Sequence, residues 1–589
     1  MNSEWKPVPG HLLTRWGIRV TPENAWPEYP RPQMRREAWL NLNGLWDYGI
    51  TSSRRNPALK FEGKILVPFA PVAALSGVGR GIQPDERLWY RRTFSIPSEW
   101  RGKRILLHFG AVDWETTVWV NGREAGSHRG GCNPFSFDIT AHLADGENEI
   151  MVNVWDPTDT FWQQHGKQTL KPKGIWYTAV SGIWQTVWLE PVPETYIRGL
   201  KVMPGLDTQM VRMEISVEGR REPGEPLIAR VFDAGTLVGE GITFPPDEVV
   251  TLAIPNPNPW SPDSPHLYDL AVEIKQDKVE SYFGMRKFSL EKGRLCLNHA
   301  PLFQLGPLDQ GYWPDGLYTP PSDEAMRADI ELVKSLGFNM LRKHVKVEPA
   351  RYYHYCDKIG LVVWQDMPNG GAAVGDVASF LTILFGSRKR DHNYRYAGRA
   401  KAASRRDYME ELREMVDHLY NFPCIGMWVP FNEGWGQFHA KETAAWLRAY
   451  DPTRTVDHAS GWFDQGGGDC KSLHVYFKKL PGSQIEQNRA TVLSEFGGYS
   501  LKIEKHTWNP KEEFGYKKFD SREALTKAYV DLLEKELSPW VKKGLSAAVY
   551  TQTTDVETEI NGYLTYDREV EKMDFEKILG VHKKILFGK

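Results

Sequence analysis

Two glutamates, Glu433 and Glu495, occupy matching places in the chain. Glu433 comes shortly after the apolar run Cys424-Ile425-Gly426-Met427-Trp428-Val429, which begins just after a proline, and Glu495 closes the run Ala490-Thr491-Val492-Leu493-Ser494. A short apolar run bounded by turn signals reads as a strand buried on both faces, as in a parallel sheet. Each run therefore delivers a carboxylate to a strand's C-terminal end. Paired carboxylates suit cleavage of a glycosidic bond with retention: one protonates the leaving oxygen, the other attacks the anomeric carbon, and the carboxyls stand about 5–5.5 Å apart. Taken singly, either glutamate reads as an ordinary ion-paired residue; two in matching settings carry the signal.

The elements that must position the pair follow from pattern. After about residue 291, strands alternate with helices. Ser322 is placed to cap a helix with Asp323 and Glu324 in its first turn, Met326, Ile330, Val333 and Leu336 on its apolar face, and Gly337 at its end. Phe338-Asn339-Met340-Leu341 is the next strand. Continued in this way, strands end near Gln310, Arg342, Asp366, Glu433, Ser460, Tyr476, Glu495 and Thr551. Eight is the number a (β/α)₈ barrel requires, and functional groups of such barrels cluster at the C-terminal strand ends. That rule adds Arg342, His344, Asp366, Asn432, His474, Tyr476 and Tyr550 to the candidates. A lone histidine reads first as a satisfied structural residue, and His344 and His474 carry that reading beside the functional one.

Upstream, residues 1–195 carry short alternating runs such as Ile105-Leu106-Leu107-His108-Phe109 and Thr117-Val118-Trp119-Val120, the second closed by the hairpin signal Asn121-Gly122. This reads as an all-β sandwich. Phe161-Trp162-Gln163-Gln164-His165 mixes aromatic and polar groups in an expected loop. Residues 196–290 read as a second, smaller sandwich of immunoglobulin-like size, with Pro255, Pro257, Pro259, Pro262 and Pro265 forbidding helix in one stretch. The barrel takes 291–589.

With these residues in view, the chain resembles glycoside hydrolase family 2, which includes β-galactosidases, β-glucuronidases and β-mannosidases. Asn432-Glu433 resembles the family's acid/base motif and Ser494-Glu495-Phe496-Gly497 its nucleophile motif. Gly166-Lys167-Gln168, Gly174-Ile175-Trp176-Tyr177-Thr178 and Ser181 to Glu190 look like the end of its sugar-binding domain, and Pro259-Trp260-Ser261-Pro262 like part of its second domain. The resemblance implies a jelly roll, an immunoglobulin-like sandwich and a TIM barrel, and a retaining exo-β-glycosidase with Glu495 as nucleophile and Glu433 as acid/base. It further implies that Arg342 bonds the nucleophile, that Tyr476 donates to it, and that Asp366 binds a hydroxyl. His344 and His474 match sugar-contacting positions, and Tyr550 falls where relatives carry an aromatic platform. Departures narrow the substrate. Lys343-His344-Val345-Lys346 stands where many β-galactosidases have S-H-Y-P, and Met367-Pro368-Asn369-Gly370-Gly371 offers no metal ligands where others have E-T-H-G, so no metal or other cofactor is expected. Asn561-Gly562-Tyr563 lacks the lysine of the uronate-holding N-x-K motif, and Asn509-Pro510-Lys511 sits much too early for it. A β-galactoside is the leading expectation. A β-glucuronide, an α-L-arabinopyranoside and a carbohydrate-binding protein without catalysis are the alternatives.

Length and composition bound the rest. At 589 residues, three or more domains are expected. A net charge of −2 with both signs interspersed favours neither nucleic acid nor an anionic membrane as partner. Carbohydrate is the expected partner, and a homo-oligomer is left open. The 23 tryptophans include more than sugar platforms need, so most belong to sheet cores. Five scattered cysteines indicate neither a disulfide framework nor a thiolate metal site. The N-terminus has no apolar h-region and no run is long enough to span a bilayer, so the chain reads as soluble, with its compartment open. Residues 369–404 form a long insertion in which Arg388, Lys389, Arg390, Arg395, Arg399 and Lys401 interleave with Tyr394 and Tyr396. It reads as a solvated basic face, or as a loop receiving an acidic aglycone.

Overall fold

The computed structural model describes residues 5–52, 61–371, 391–482 and 485–588. Its first unit is a sandwich of two antiparallel sheets. The six-stranded sheet runs Gly63–Val67, Gly44–Thr51, Arg87–Ser95, Glu147–Trp155, Glu115–Val120, Arg123–Arg129; the four-stranded sheet runs Leu40–Asn41, Val187–Val192, Arg104–Phe109, Phe135–Asp138. Alternation sets the buried faces: along Glu115–Val120, every second residue, Thr116, Val118 and Val120, is buried. Asn121 and Gly122 turn this strand into Arg123–Arg129 with φ of 50° and 75°, the positive values a two-residue hairpin needs. Trp46, Leu88, Tyr90, Leu107, Val118 and Val152 fill the space between the sheets.

The second unit pairs a three-stranded sheet (Tyr196–Gly205, Met210–Glu218, Val249–Ala253) with a four-stranded one (Thr236–Thr243, Leu227–Asp233, Tyr268–Ile274, Asp277–Phe283). Seven strands over a core of Val211, Met213, Ala229, Val231 and Val272 make the expected immunoglobulin-like sandwich. Arg36 fastens it to the first unit: its guanidinium holds Asp277 Oδ1 and Oδ2 at 2.9 and 2.8 Å, and Glu190 Oε2 at 3.1 Å.

The third unit is the barrel. Its parallel strands are β1 (Gln304–Asp309), β2 (Met340–Lys343), β3 (Val362–Asp366), β4 (Ile425–Val429), β5 (Thr455–Val456), β6 (Cys470–Val475), β7 (Ala490–Gly497) and β8 (Ala547–Thr551). They run in the order β5-β4-β3-β2-β1-β8-β7-β6. The seam between β5 and β6 is bridged by Asp469 N donating to Val456 O at 2.7 Å and by the Ser472 hydroxyl donating to Asp457. Helix α1 (Asp323–Ser335) starts where its capping signal lies: Ser322 Oγ accepts from Ala325 N at 3.1 Å, and Gly337 follows the end at φ 83°. Helices α2 (Ala350–Ile359) and α3 (Ala402–Leu419) follow β2 and β3.

A loop of the first unit lies on the barrel. Trp162 Nε1 donates to Asp407 and Gln164 Nε2 to Glu411, both on α3, at 3.1 and 2.8 Å. His165 N and Gly166 N both donate to Asn369 O, and Thr178 N donates to Glu557 Oε1 at 2.8 Å. The aromatic and polar loop picked out in the sequence is thus an interdomain clamp.

Candidate active site

Beyond the end of β4 the chain runs through Asn432 to Glu433, which has φ 51°. A non-glycine residue in that left-handed region costs of order 1–3 kcal/mol and persists only where its surroundings hold it. Here Glu433 N donates to Ser460 O at 2.9 Å, Trp435 N donates back to Asn432 O at 3.0 Å, and Phe431 is stacked on Tyr408 at 5.1 Å. Glu495 sits inside β7 at an irregularity: the β6 register passes from Leu473 opposite Leu493 to His474 opposite Glu495. The extra residue re-aims the side chain, as bulges near functional sites do.

Arg342 ties the site together. Its five donors are all engaged: Nε and Nη2 hold Asp366 at 3.0 and 2.9 Å, Nη2 also reaches Asn432 Oδ1 at 2.8 Å, and Nη1 reaches Ser494 O at 3.1 Å and Glu495 Oε1 at 3.0 Å. The Tyr476 hydroxyl donates to Glu495 Oε2, and its oxygen lies 3.0 Å from Thr551 Oγ1. His474 Nδ1 stands between the glutamates, 2.7 Å from Glu433 Oε1 and 3.5 Å from Glu495 Oε2, with Nε2 at 3.2 Å from Ser460 Oγ. His344 Nδ1 pairs with Asp366 Oδ2 at 2.8 Å. Asn432 Nδ2 and Asn369 Oδ1 are buried with no protein partner among the described residues, which suits them to ligand hydroxyls.

The two glutamates are driven apart electrostatically. Burial, then the neighbouring Glu495 charge, raises Glu433 above the ordinary carboxylate range. Burial pushes Glu495 the same way, but His474, Arg342 and Lys167 outweigh it and hold Glu495 low. Glu433 is thus suited to give a proton and Glu495 to stay ionised. One ligand atom each of Glu433, His474 and Glu495 lies within 4.8 Å of the others, the one grouping among the described residues spaced to grip a metal ion.

Of the residues expected from sequence, Glu433, Glu495, Asn432, Arg342, His344, Asp366, His474 and Tyr476 come together. Tyr550 does not. It is fully buried, its hydroxyl accepts from Tyr499 N, and its ring packs against Phe496, Tyr529 and Tyr563. Strand alternation turns it away from the mouth, and the next residue, Thr551, reaches Tyr476 instead. The basic insertion also requires correction. Arg399 is buried and bonded to Gly436 O, Trp162 O, Gln164 Oε1 and Ser404 Oγ, so it secures the clamp loop rather than a ligand. Arg395 is exposed, Lys401 lies over the Trp162 ring, and Arg388, Lys389 and Arg390 fall outside the described residues.

Sequence reasoning missed several neighbours. Tyr516 stacks on Tyr476 with centroids 3.8 Å apart, Trp462 lies edge-on to His474 at 5.7 Å, and Trp176 of the first unit meets Trp435 at 4.9 Å. Phe477, 79% exposed, stands beside Tyr516. Trp176 stood in the motif Gly174 to Thr178 without a role assigned to it, and the others come from loops without periodicity, so nothing in the local pattern marked them.

A TIM barrel carrying a glutamate pair at its strand ends, preceded by two β-sandwiches, defines a glycosidase-type scaffold. The chain belongs to glycoside hydrolase family 2: residues 80–193 match the family's sugar binding domain, 195–286 the domain described simply as glycosyl hydrolases family 2, and 320–494 its TIM barrel domain. A beta-galactosidase of Thermoanaerobacter pseudethanolicus is 27% identical over 370 residues, 59% of this chain and 44% of that protein. A putative beta-glucuronidase of Formosa agariphila is 26% identical over 293 residues, 48% of this chain and 35% of that protein. This chain thus spans less than half the length of these curated relatives. Among solved structures, the beta-D-glucuronidase of Dictyoglomus thermophilum matches with a TM-score of 0.73 and 19% identity over 95% of this chain and 98% of that one, a likeness of fold.

Proposed function

We propose that the protein is a retaining exo-β-glycosidase in which Glu495 is the nucleophile and Glu433 the acid/base. The observation that carries this reading is the spacing: a carboxylate oxygen of Glu433 lies within 4.8 Å of one of Glu495. Double displacement wants carboxyls about 5–5.5 Å apart, whereas inversion needs about 6.5–9.5 Å to admit a water. In the first step Glu433 gives its proton to the glycosidic oxygen as the bond to the anomeric carbon breaks, and a Glu495 oxygen forms an ester to that carbon. In the second, Glu433 takes a proton from water, the hydroxide oxygen bonds the anomeric carbon, and the ester breaks. Both glutamates are restored. Arg342 and Tyr476 hold the Glu495 carboxylate in place and keep it ionised. The contact of Trp176, from the first unit, with Trp435, two residues past Glu433, brings that sandwich close to the acid/base and supports attack on a terminal sugar.

Glu495→Ala and Glu433→Ala should each lower kcat on a nitrophenyl glycoside by about a thousandfold or more, since covalent or acid/base assistance vanishes. Near-wild-type turnover in either variant would refute the assignment. A catalytically silent sugar binder would instead hydrolyse no nitrophenyl glycoside while binding a sugar saturably in calorimetry.

A further inference from the structure

Four lysines are buried among the described residues, and three have a carboxylate at hand. Lys343 Nζ lies 2.7 Å from Glu348 and 2.8 Å from Asp309, Lys346 Nζ 2.8 Å from Glu348, and Lys572 Nζ 2.6 Å from Asp555. A cation taken out of water costs several kcal/mol unless paired, so this is the ordinary arrangement. Lys167 is the exception. It is 6% exposed, yet its ammonium makes no hydrogen bond or ion pair with any described residue; it lies over the Tyr177 ring, 5.5 Å from the centroid.

Its place in the fold is fixed. His165 N and Gly166 N, immediately before it, both donate to Asn369 O, three residues beyond Asp366. Gly166 has φ 60°, and a Cβ there would come within 2.5 Å of Val345 O, beside His344. The Tyr177 hydroxyl donates to Glu559, beyond β8. Asn369 Nδ2 in turn donates to Asn432 O at 3.3 Å, so the backbone that carries Lys167 is bonded directly to the segment that presents Glu433, and the Lys167 charge is felt at His344, Glu433 and Glu495.

We propose that Lys167 is the partner of a carboxylate carried by the bound sugar, so that the substrate is a uronide whose acid is read by the first β-sandwich rather than by the barrel. This rests on the reading of the site as that of a β-glycosidase. A neutral sugar would offer the ammonium only hydroxyls, whereas a carboxylate supplies a charge-assisted hydrogen bond that offsets its desolvation. Among the described residues, the cations nearest the role are already committed. Arg342 has all five donors engaged, Arg399 secures the clamp loop, and Tyr563 of Asn561-Gly562-Tyr563 is buried among Tyr529, Tyr550 and Phe338.

The test compares kcat/KM for nitrophenyl β-glucuronide with β-glucoside, and β-galacturonide with β-galactoside, in wild type, Lys167→Met and Lys167→Arg. Wild type should prefer the uronide of at least one pair by about 100-fold or more, because a site built to bond a charged group rejects the analogue lacking it. Lys167→Met should cut that uronide-to-neutral ratio about 100-fold, and Lys167→Arg should restore part of it. Using the ratio within one preparation, together with the arginine variant, separates lost recognition from lost folding. A wild-type preference for the neutral member of both pairs, or a ratio that Lys167→Met leaves within about threefold, would overturn the proposal while leaving the glycosidase reading intact. Hydrolysis of none of the four would overturn the uronide proposal, and silence on nitrophenyl β-mannoside and α-L-arabinopyranoside as well would overturn the glycosidase reading.

Discussion

In the proposed mechanism Glu433 and Glu495 are the same residue type put to opposite uses, and their neighbours make the difference. Burial and a like charge raise the Glu433 pKa, while Arg342, Tyr476 and His474 surround the Glu495 charge. The sign of each shift sets the pH profile. Glu495 must be ionised, so kcat/KM falls as pH drops through its lowered pKa; Glu433 must be protonated, so kcat/KM falls again as pH rises through its raised pKa. Glu433→Gln should therefore lose the alkaline limb when assayed with a dinitrophenyl leaving group, which departs without a proton. An alkaline limb unmoved by that substitution would assign it to another group. Both glutamates were legible in the sequence because one closely follows and the other closes an apolar run, a local feature. Lys167 entered the sequence reading only inside the Gly166-Lys167-Gln168 motif and Tyr516 not at all, because a charge felt at Glu495 and a ring stacked on Tyr476 across a loop leave no local pattern.

At the scale of elements, all eight barrel strands end within a few residues of where the apolar runs and turn signals put them, since burial on both faces imposes a continuous apolar pattern. The failure at Tyr550 lies below that resolution. A strand end can be placed by pattern, but which of two adjacent residues faces the mouth depends on register, and a one-residue offset reverses it. The clamp loop is the element most exposed to single substitutions. At Gly166 the left-handed backbone and the Val345 carbonyl leave no room for a side chain. Gly166→Ala should lower kcat/KM at least about tenfold, as misplacement of positioning groups does, while the midpoint of thermal unfolding moves little. A fully active Gly166→Ala would mean that the loop does not position the site.

For the whole molecule, the sandwiches and barrel are joined by buried charge as well as apolar packing. Burial alone would raise Glu190, but Arg31, His108 and Arg36 outweigh it and hold its carboxyl well below the usual range. A depressed folded pKa contributes stability that is fully present above the unfolded carboxylate value of about 4.3 and is lost as pH falls through the folded one. Arg36→Met, which takes the guanidinium from Asp277 and leaves Glu190 to Arg31, should cost about 3–5 kcal/mol at neutral pH, and the deficit should shrink as pH falls below about 4. Denaturant unfolding across that range checks both. The central claim, that the assembled site works by double displacement, is tested most directly by stereochemistry. Proton NMR of the first sugar released from an aryl β-glycoside should show the β-anomer forming first and the α-anomer appearing only by mutarotation. The α-anomer as the initial product would contradict a nucleophilic Glu495.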